Sequence, residues 1–173
     1  MEKHVTVPFD KSVSESLKAG DYVYLDGTVY VARDAAHKRM TQSLAAGNEL
    51  PFDIKDQTIY YMGPSPARDG KVIGSAGPTT ASRMDKYTPQ LLDLGLTGII
   101  GKGRRSQAVK AAMIKNKATY FAAVGGAGAL LSKCITSSEV VAYDDLGAEA
   151  VRKLTIKDFP VIVVMDCHGG CLY

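Results

Sequence analysis

The sequence predicts a single α/β domain with a mixed sheet and flanking helices. Two early β-prone stretches are joined by a hairpin signal, later ones alternate with helical stretches, and those helical stretches begin and end at typical capping residues. Hairpins followed by strand–helix alternation are typical of a mixed sheet rather than an all-parallel one. No repeat, low-complexity tract or linker divides the 173 residues. Residues 1–173 are therefore predicted to form one domain.

The first half of the chain carries the hairpin signal and one clear helix. Residues 22–25 and 28–32 are apolar and β-prone, and the Asp-Gly pair between them is a strong turn signal. A helix is predicted over residues 34–47, where a glycine closes the segment. The remaining predictions for this half are a strand at 58–62, a turn-rich connector at 63–70 and a strand at 71–75.

In the second half, strands and helices alternate. Thr88 is predicted as the N-cap of a helix, with Pro89 at its first position. Helices are predicted at residues 88–95, 106–117 and 146–153, with a helix start at 129–134. Strands are predicted at residues 97–100, 119–124, 139–143 and 161–166, with a glycine turn at 125–128.

The charge balance argues against a nucleic-acid partner. The chain has 21 Lys and Arg against 18 Asp and Glu, a net charge of +3, which is too small to indicate a polyanion. The cations lie beside glycine, proline or loop-like segments, a pattern that favours a small anionic ligand. They are Arg33, Lys38, Arg39, Arg83, Lys102, Arg104 and Arg105.

The cysteines and the hydropathy pattern predict a cytoplasmic protein. The three cysteines cannot all pair within one chain. The N-terminal segment has no apolar core of signal-peptide length. The longest strictly aliphatic-or-Met run, residues 161–165, is far too short for a membrane span.

Three glycine- or cysteine-containing segments do not meet the requirements of the motifs that they suggest. GIIGKGRRS (98–106) lacks the spacing of a P-loop, and VGGAGALL (124–131) has Leu131 where a dinucleotide fingerprint needs its third glycine. Cys167 and Cys171 leave too few further ligands for a structural zinc site, so no metal is predicted in this chain. His37 could be a general base or a half-buried structural histidine, and its setting favours the structural role.

The segment SAGPTTASRMDKY (75–87) offers more capping groups than one helix needs. Ser82 with Asp85 three residues later is a variant of the capping box, which one hydroxyl satisfies. At least one of Thr79 and Thr80 is then free to face a ligand. A helix N-terminus and Arg83 together favour a carboxylate or a phosphate.

Several segments occur in the order seen in one family: RDAAHKR, GPTTASRMDKY, GKGRRS, GGAGALL and AYDDLGAEAVRKLTIKDFPVIVVMD with its DxHG ending. The sequence resembles the β subunit, equivalent to the C-terminal domain, of class I iron–sulfur hydro-lyases, namely fumarate hydratases and L-tartrate dehydratases. The resemblance implies a swivelling β/β/α domain and reversible hydration of fumarate to L-malate. It also implies an α subunit that holds the [4Fe–4S] cluster, assembly as a dimer of heterodimers, and no activity without that partner.

The resemblance also implies roles for four residues. Arg33, before the DAAH segment, and Arg83, in GPTTASR, resemble clamps for the substrate carboxylates. Lys102 of the GKG turn resembles a third cation at the substrate. Thr79 matches the residue proposed to take the proton from C3 of malate, and its surroundings must activate it because a threonine hydroxyl is a weak base.

Two questions of function remain open at this level. The DKY after RM and the RRS after GKG favour fumarate over L-tartrate as substrate. In a different class, a non-catalytic module that binds anions would use the same cationic loops.

Overall fold

The structure is a computed structural model that describes residues 2–62, 77–124 and 131–173. Seven strands lie in these ranges: β1 (Glu2–Val7), β2 (Tyr22–Val31), β3 (Thr58–Tyr60), β4 (Gly98–Gly101), β5 (Thr119–Ala123), β6 (Ile135–Ala142) and β7 (Val151–Met165). The α-helices there are α1 (Lys11–Glu15), α2 (Asp34–Ala45), α3 (Thr88–Asp93) and α4 (Gln107–Asn116). Short 3₁₀ helices span Ala81–Met84, Ser132–Cys134 and Asp144–Glu149.

The strands form one mixed sheet in the order β1-β2-β3-β4-β5-β7-β6. The first four pairings, from β1 to β5, are parallel. The last strand, β7, runs antiparallel to both β5 and β6, and it also pairs with β2. Strands β2, β3, β4, β5 and β7 therefore form a closed ring of pairings. The predicted α/β class and its mixed sheet are confirmed.

The length of β7 is what allows the ring to close. Its first part pairs with β2 from Arg152 to Ile162, and its end pairs with β5 from Val161 to Met165. The helix predicted over residues 146–153 is wrong, because a 3₁₀ helix ends at Glu149 and β7 begins at Val151. Arg, Lys and Leu tolerate a helix, but pairing with strands on both sides overrides that local preference.

The predicted hairpin at residues 22–32 is also wrong, because β2 runs unbroken through it. Gly27 has a φ of +126° and lies where the register of β2 against β7 shifts, so it forms a bulge rather than a turn. The Asp26 side chain accepts a hydrogen bond from the backbone N–H of Asp158, 2.8 Å away, across this bulge. The Asp26-Gly27 pair thus bends β2 within the sheet, where β2 pairs with β7 on one edge and with β1 on the other.

The core has two parts. One cluster includes apolar residues of β1, β2 and β7, among them Val7, Leu25 and Phe159. The second packs helices α2, α3 and α4 against the sheet. It includes Ala36, Met40, Leu91, Leu92, Val109 and Met113 from the helices and Ile59, Ile99 and Tyr120 from the strands. These contacts confirm the predicted flanking helices.

Most of the other predicted elements are confirmed in outline. Helices at 34–47 and 106–117 and strands at 58–62, 97–100 and 119–124 all correspond to observed elements. Thr88 is the first residue of α3 rather than its N-cap, because its hydroxyl donates to the carbonyl of Met84. The connector at 63–70, the strand at 71–75 and the glycine turn at 125–128 lie outside the described residues, as does the beginning of the segment 129–134. Within the described ranges, no helix is long and apolar enough to cross a membrane.

We expect Gly27→Ala to destabilise the fold more than the matched variant Gly20→Ala. Both glycines have positive φ, but a Cβ at Gly27 would collide with the carbonyl of Val7, whereas Gly20 has nothing within 4 Å. The backbone strain should cost about 1–2 kcal/mol in each variant, and the collision should add about 1–3 kcal/mol at Gly27. Urea unfolding of both variants measures the difference, and equal losses would contradict the bulge argument.

Candidate active site

Three of the predicted site residues follow the carboxyl ends of neighbouring parallel strands. Arg33 lies two residues after β2 and is the N-cap of α2. Lys102 comes directly after β4. Thr79 is tied to the end of β3, because its N–H donates to the carbonyl of Tyr61 at 2.8 Å. The carboxyl ends of neighbouring parallel strands lie at one edge of the sheet, so the topology brings these residues to the same edge.

Backbone pairing then attaches the threonine segment to the lysine loop. Thr80 forms a parallel bridge with Lys102. The N–H of Ala81 donates to the carbonyl of Lys102 at 2.9 Å. The main chain beside Thr79 and the main chain of Lys102 are therefore neighbours, while the side chain of Lys102 is exposed.

The side chains of Arg33 and Arg83 share one carboxylate, and Arg83 also contacts Thr79. Arg83 donates a hydrogen bond from its terminal nitrogen to the hydroxyl of Thr79. Its Nε lies 3.3 Å from one oxygen of Asp34. The other oxygen of Asp34 lies 3.8 Å from Nε of Arg33. The structure thus brings the predicted arginines and threonine together and adds Asp34, which the sequence did not single out.

The hydrogen bond from Arg83 matters for the chemistry of Thr79. A guanidinium is always charged and is only a donor, so the oxygen of Thr79 accepts. Negative charge that develops on this oxygen would be stabilised at once by the cation. The side chain of Arg83 is 46% exposed, so it can also reach a ligand from solvent.

The capping box predicted for Ser82 and Asp85 is wrong. The helix after Thr79 is a four-residue 3₁₀ helix, Ala81–Met84, and no side chain caps it. The carboxylate of Asp85 instead accepts from Nε of Arg105 and from the N–H of Ser106, each at 2.7 Å. A helix this short contributes little dipole, so the positive charge beside Thr79 comes from the side chain of Arg83 and not from a helix N-terminus.

Arg105 belongs to a buried support beneath the site. Its side chain is fully buried, and its guanidinium lies over the rings of Tyr61 and Tyr120 at 5.2 and 5.0 Å. It also donates to the hydroxyls of Tyr61 and Thr88. Burial works to lower the pKa of Arg105, but Tyr61 and Asp85 outweigh it and the pKa lies above its usual value.

The prediction that Arg105 and Arg39 are available to a small anion is therefore wrong. Arg105 is neutralised by Asp85 in the interior. Arg39 donates two hydrogen bonds to Asp145, at 2.7 and 2.8 Å. Nothing in the local sequence distinguishes buried Arg105 from exposed Arg104, because the difference is made by residues that are distant along the chain.

His37 has the structural role that its sequence setting favoured, and it is fully buried rather than half-buried. Its Nδ1 lies 2.8 Å from the carbonyl oxygen of Arg33. Its ring packs against Tyr61 and Tyr87, with centroids 5.4 and 6.0 Å away. Burial lowers the pKa of His37 to about 4, so the imidazole is neutral near pH 7 and steadies the backbone of Arg33.

The DxHG ending forms a loop organised by one carboxylate. Asp166 accepts hydrogen bonds from the backbone N–H groups of Ala19, His168 and Gly170. Burial works to raise the pKa of Asp166, but these three donors prevail and hold it below its ordinary value. The aspartate thereby joins the end of β7 to the segment before β2.

The cysteines do not gather into a cluster site. All three are free thiols. The nearest hydrogen-bond partners of their sulfurs are the carbonyl of Asp158 for Cys134, the carbonyl of Ser14 and the ring of His168 for Cys167, and the carbonyl of Tyr173 for Cys171. In the described part of the chain, the one group of three metal-ligating side chains is His4, Asp26 and Asp158, which contains no cysteine. These residues do not fit an iron–sulfur cluster, which needs thiolate ligands.

Comparison with known proteins assigns the family. The model described as Fumarase C-terminus matches residues 2–173. The chain belongs to the Fumarase C-terminus family. The resemblance carried by GPTTASRMDKY and GKGRRS is therefore confirmed.

Relatives of this Fumarase C-terminus chain include proteins named as fumarate hydratases and one named as a subunit. It is 43% identical over 148 residues to "Fumarate hydratase class I, aerobic" of Escherichia coli K12, covering 84% of the chain and 27% of that protein. It is 39% identical over 171 residues to "Fumarate hydratase 2" of Leishmania major, covering 96% and 30%. It is 38% identical over 165 residues to "Putative L(+)-tartrate dehydratase subunit beta" of Methanocaldococcus jannaschii, covering 92% and 85%. The chain thus spans less than a third of these two fumarate hydratases.

We expect His37 to make folding stability depend on pH in a defined window. Because the pKa is about 4 when folded and 6.5 ordinarily, the unfolded chain binds a proton between these values that the folded chain does not. Stability is therefore lost as the pH falls through this window, and through His37 alone by about 2 kcal/mol between about pH 7 and about pH 4.5.

Urea unfolding at the two pH values measures this loss. His37→Asn keeps a donor near the carbonyl of Arg33 but cannot titrate, so the difference between the two pH values should shrink by that amount. His168→Asn removes an exposed histidine and serves as the matched control. An unchanged difference in His37→Asn would contradict the assignment.

Proposed function

We propose that this chain is the β subunit of a hydro-lyase that catalyses reversible hydration of fumarate to L-malate, acting with an α subunit. The observation that carries the proposal is the grouping of Arg33, Arg83 and Thr79 through Asp34, with Lys102 on the adjoining loop, at the carboxyl ends of β2, β3 and β4. Membership of the Fumarase C-terminus family supports it.

The charges suit a small dicarboxylate. Arg33 and Arg83 each present a planar guanidinium that can bind a carboxylate in a forked manner, and Lys102 adds a point charge. Removal of a proton from the carbon beside a carboxylate creates a doubly charged aci-carboxylate. Cations fixed in advance lower the energy of that charge in the transition state.

Thr79 is the proposed proton acceptor for C3 of malate. In the dehydration direction, a group of the α subunit is proposed to take the hydroxyl proton of Thr79 first. The alkoxide then takes the proton from C3 and becomes a neutral hydroxyl, while hydroxide leaves C2 as the double bond forms and leaves as water with the proton that was taken first. A threonine hydroxyl needs activation to accept a proton. The hydrogen bond from Arg83 to this oxygen supplies part of it, because a cation in contact favours the alkoxide.

The α subunit is proposed as the source of the remaining groups. The name of the M. jannaschii relative, a subunit beta, implies an alpha partner for that protein, and 85% of it is matched here. The dispersed cysteines support assigning the ligands of a [4Fe–4S] cluster to the α subunit. We further propose a dimer of heterodimers, and a cytoplasmic location, where thiols such as the three free ones here stay reduced.

We propose fumarate rather than L-tartrate as the substrate because of the sequence features DKY (85–87) and RRS (104–106). Those two features meet in the structure, because Asp85 of DKY pairs with Arg105 and Ser106 of RRS. Identity is 43% to the E. coli fumarate hydratase and 38% to the tartrate dehydratase relative. An L-tartrate dehydratase β subunit is the second candidate, favoured by the match over 85% of that relative.

The first prediction from this proposal concerns the substrate. The chain is assembled with its α subunit and supplied with iron and sulfide without oxygen. We expect kcat/KM for fumarate hydration to exceed that for L-tartrate dehydration at least about tenfold, because a difference of about 1.4 kcal/mol in transition-state binding suffices. Proton NMR of the products measures both, and the opposite ratio would overturn the choice of fumarate.

The second prediction separates an enzyme from an anion-binding module. Arg83→Ala should lower kcat/KM for fumarate by about 10²–10³, as loss of one donor to a developing anion does elsewhere. Lys86→Ala removes an exposed cation of the same segment, whose ammonium contacts the ring of Tyr87, and should keep wild-type turnover. Unchanged turnover in Arg83→Ala, with the α subunit still bound, would favour the module.

A further inference from the structure

Asp34 lies between the two proposed substrate arginines. One carboxylate oxygen is 3.3 Å from Nε of Arg83, and the other is 3.8 Å from Nε of Arg33. We propose that Asp34 is a positioning residue that holds the two guanidinium groups at the separation a dicarboxylate needs. This inference rests on the proposed function and adds a residue that acts through both arginines.

The contacts leave the outer faces of the arginines available to a ligand. Arg83 directs Nε to Asp34 and one terminal nitrogen to Thr79. A guanidinium has five N–H donors, so others remain for a carboxylate. Asp34 thus engages Nε of Arg83 and orients the plane of the guanidinium. The N–H groups that contact neither Asp34 nor Thr79 lie in that plane and can bind a carboxylate.

The contact to Arg33 is looser than the contact to Arg83. Nε of Arg33 and the facing oxygen of Asp34 are both buried, and neither has a hydrogen-bond partner within the described residues. At 3.8 Å the two atoms attract each other as charges but are too far apart for a hydrogen bond. Nε of Arg33 is also 3.8 Å from an oxygen of Glu149, which accepts from the N–H of Ala35. Arg33 therefore lies between two carboxylates rather than against one.

A purely structural role for Asp34 is the alternative. Asp34 is the first residue of α2, where a carboxylate favours the helix dipole. Such a role predicts lower stability and unchanged kinetics after substitution. The positioning role predicts a kinetic change of a particular kind.

The sign of that change follows from charge. Asp34 offsets part of the positive field that would attract a dianion, so its removal should not weaken substrate binding. Its removal does take away the carboxylate that links the two guanidinium groups, so that each can shift relative to the other, and misplacement of a reacting group by about 1 Å can cost 10²-fold in rate. Loss of Asp34 should therefore lower kcat without raising KM.

The test uses Asp34→Asn in the enzyme assembled with its α subunit. We expect kcat for fumarate to fall about 10- to 100-fold, while KM stays the same or decreases. Asp34→Glu, which restores the charge, should recover part of kcat. Asp145→Asn is the matched control, because it removes a carboxylate that pairs with Arg39 on the same helix without contacting either substrate arginine, and it should keep wild-type kcat and KM.

Two outcomes would overturn the inference. One is unchanged kcat in Asp34→Asn, whatever the melting temperature does. The other is a raised KM, which would mean that Asp34 supports binding of the substrate.

Failure of the proposed function would look different, because the wild-type assembly would then turn over neither fumarate nor L-tartrate. In that case titration of the wild type and Asp34→Asn with succinate, an unreactive dicarboxylate, still tests the inference. Equal or tighter binding to Asp34→Asn supports it, and weaker binding overturns it.

Discussion

The antiparallel pairing of β7 with both β2 and β5 is the constraint on which the rest of this fold depends. The five parallel strands β1 to β5 would otherwise form an open sheet with free edges. With β7 hydrogen-bonded along Arg152–Ile162 to one side and Val161–Met165 to the other, the strands close around an apolar interior. The parallel pairing of β2, β3 and β4 brings the loops that follow them to one end of the ring. Arg33, Thr79 and Lys102 lie at that end.

Beneath these loops, a desolvated ion pair holds the backbone in place. Arg105 and Asp85 are 2.7 Å apart in the interior, and Arg105 also contacts Tyr61, whose carbonyl binds the N–H of Thr79. Buried ion pairs often contribute little net stability, because desolvation offsets attraction. This pair instead orients the residues around it, because its hydrogen bonds fix Tyr61, Thr88 and the start of α4 relative to one another.

Where local sequence signals agreed with tertiary contacts, the sequence was sufficient to predict the structure. The helix at residues 34–47 has an acidic first turn and a terminal glycine at φ +82°, and both features can be recognised without a partner strand. The four proposed site residues came from motif resemblance, and the structure brings three of their side chains together. Their catalytic and binding roles remain proposals.

Where contacts with residues distant along the chain determine the structure, prediction from the local sequence failed. The Asp-Gly pair of β2 has the composition of a turn, but β1 and β7 on its two edges make it a bulge. Residues 151–153 have the composition of a helix and become part of β7. Arg105 has the same sequence setting as Arg104, and only Asp85, Tyr61 and Tyr120 make it a buried residue.

Lys102 differs from the two arginines in how much freedom it retains. Carboxylates lie beside Arg33 and Arg83 before any ligand arrives, whereas within residues 2–62, 77–124 and 131–173 Lys102 is held through its main chain alone and its side chain is exposed. A long flexible side chain loses rotamer entropy when it becomes ordered. In the proposed site the arginines would therefore be positioned before binding, and the entropy lost by Lys102 would make binding depend on how completely a ligand and its surroundings enclose that side chain.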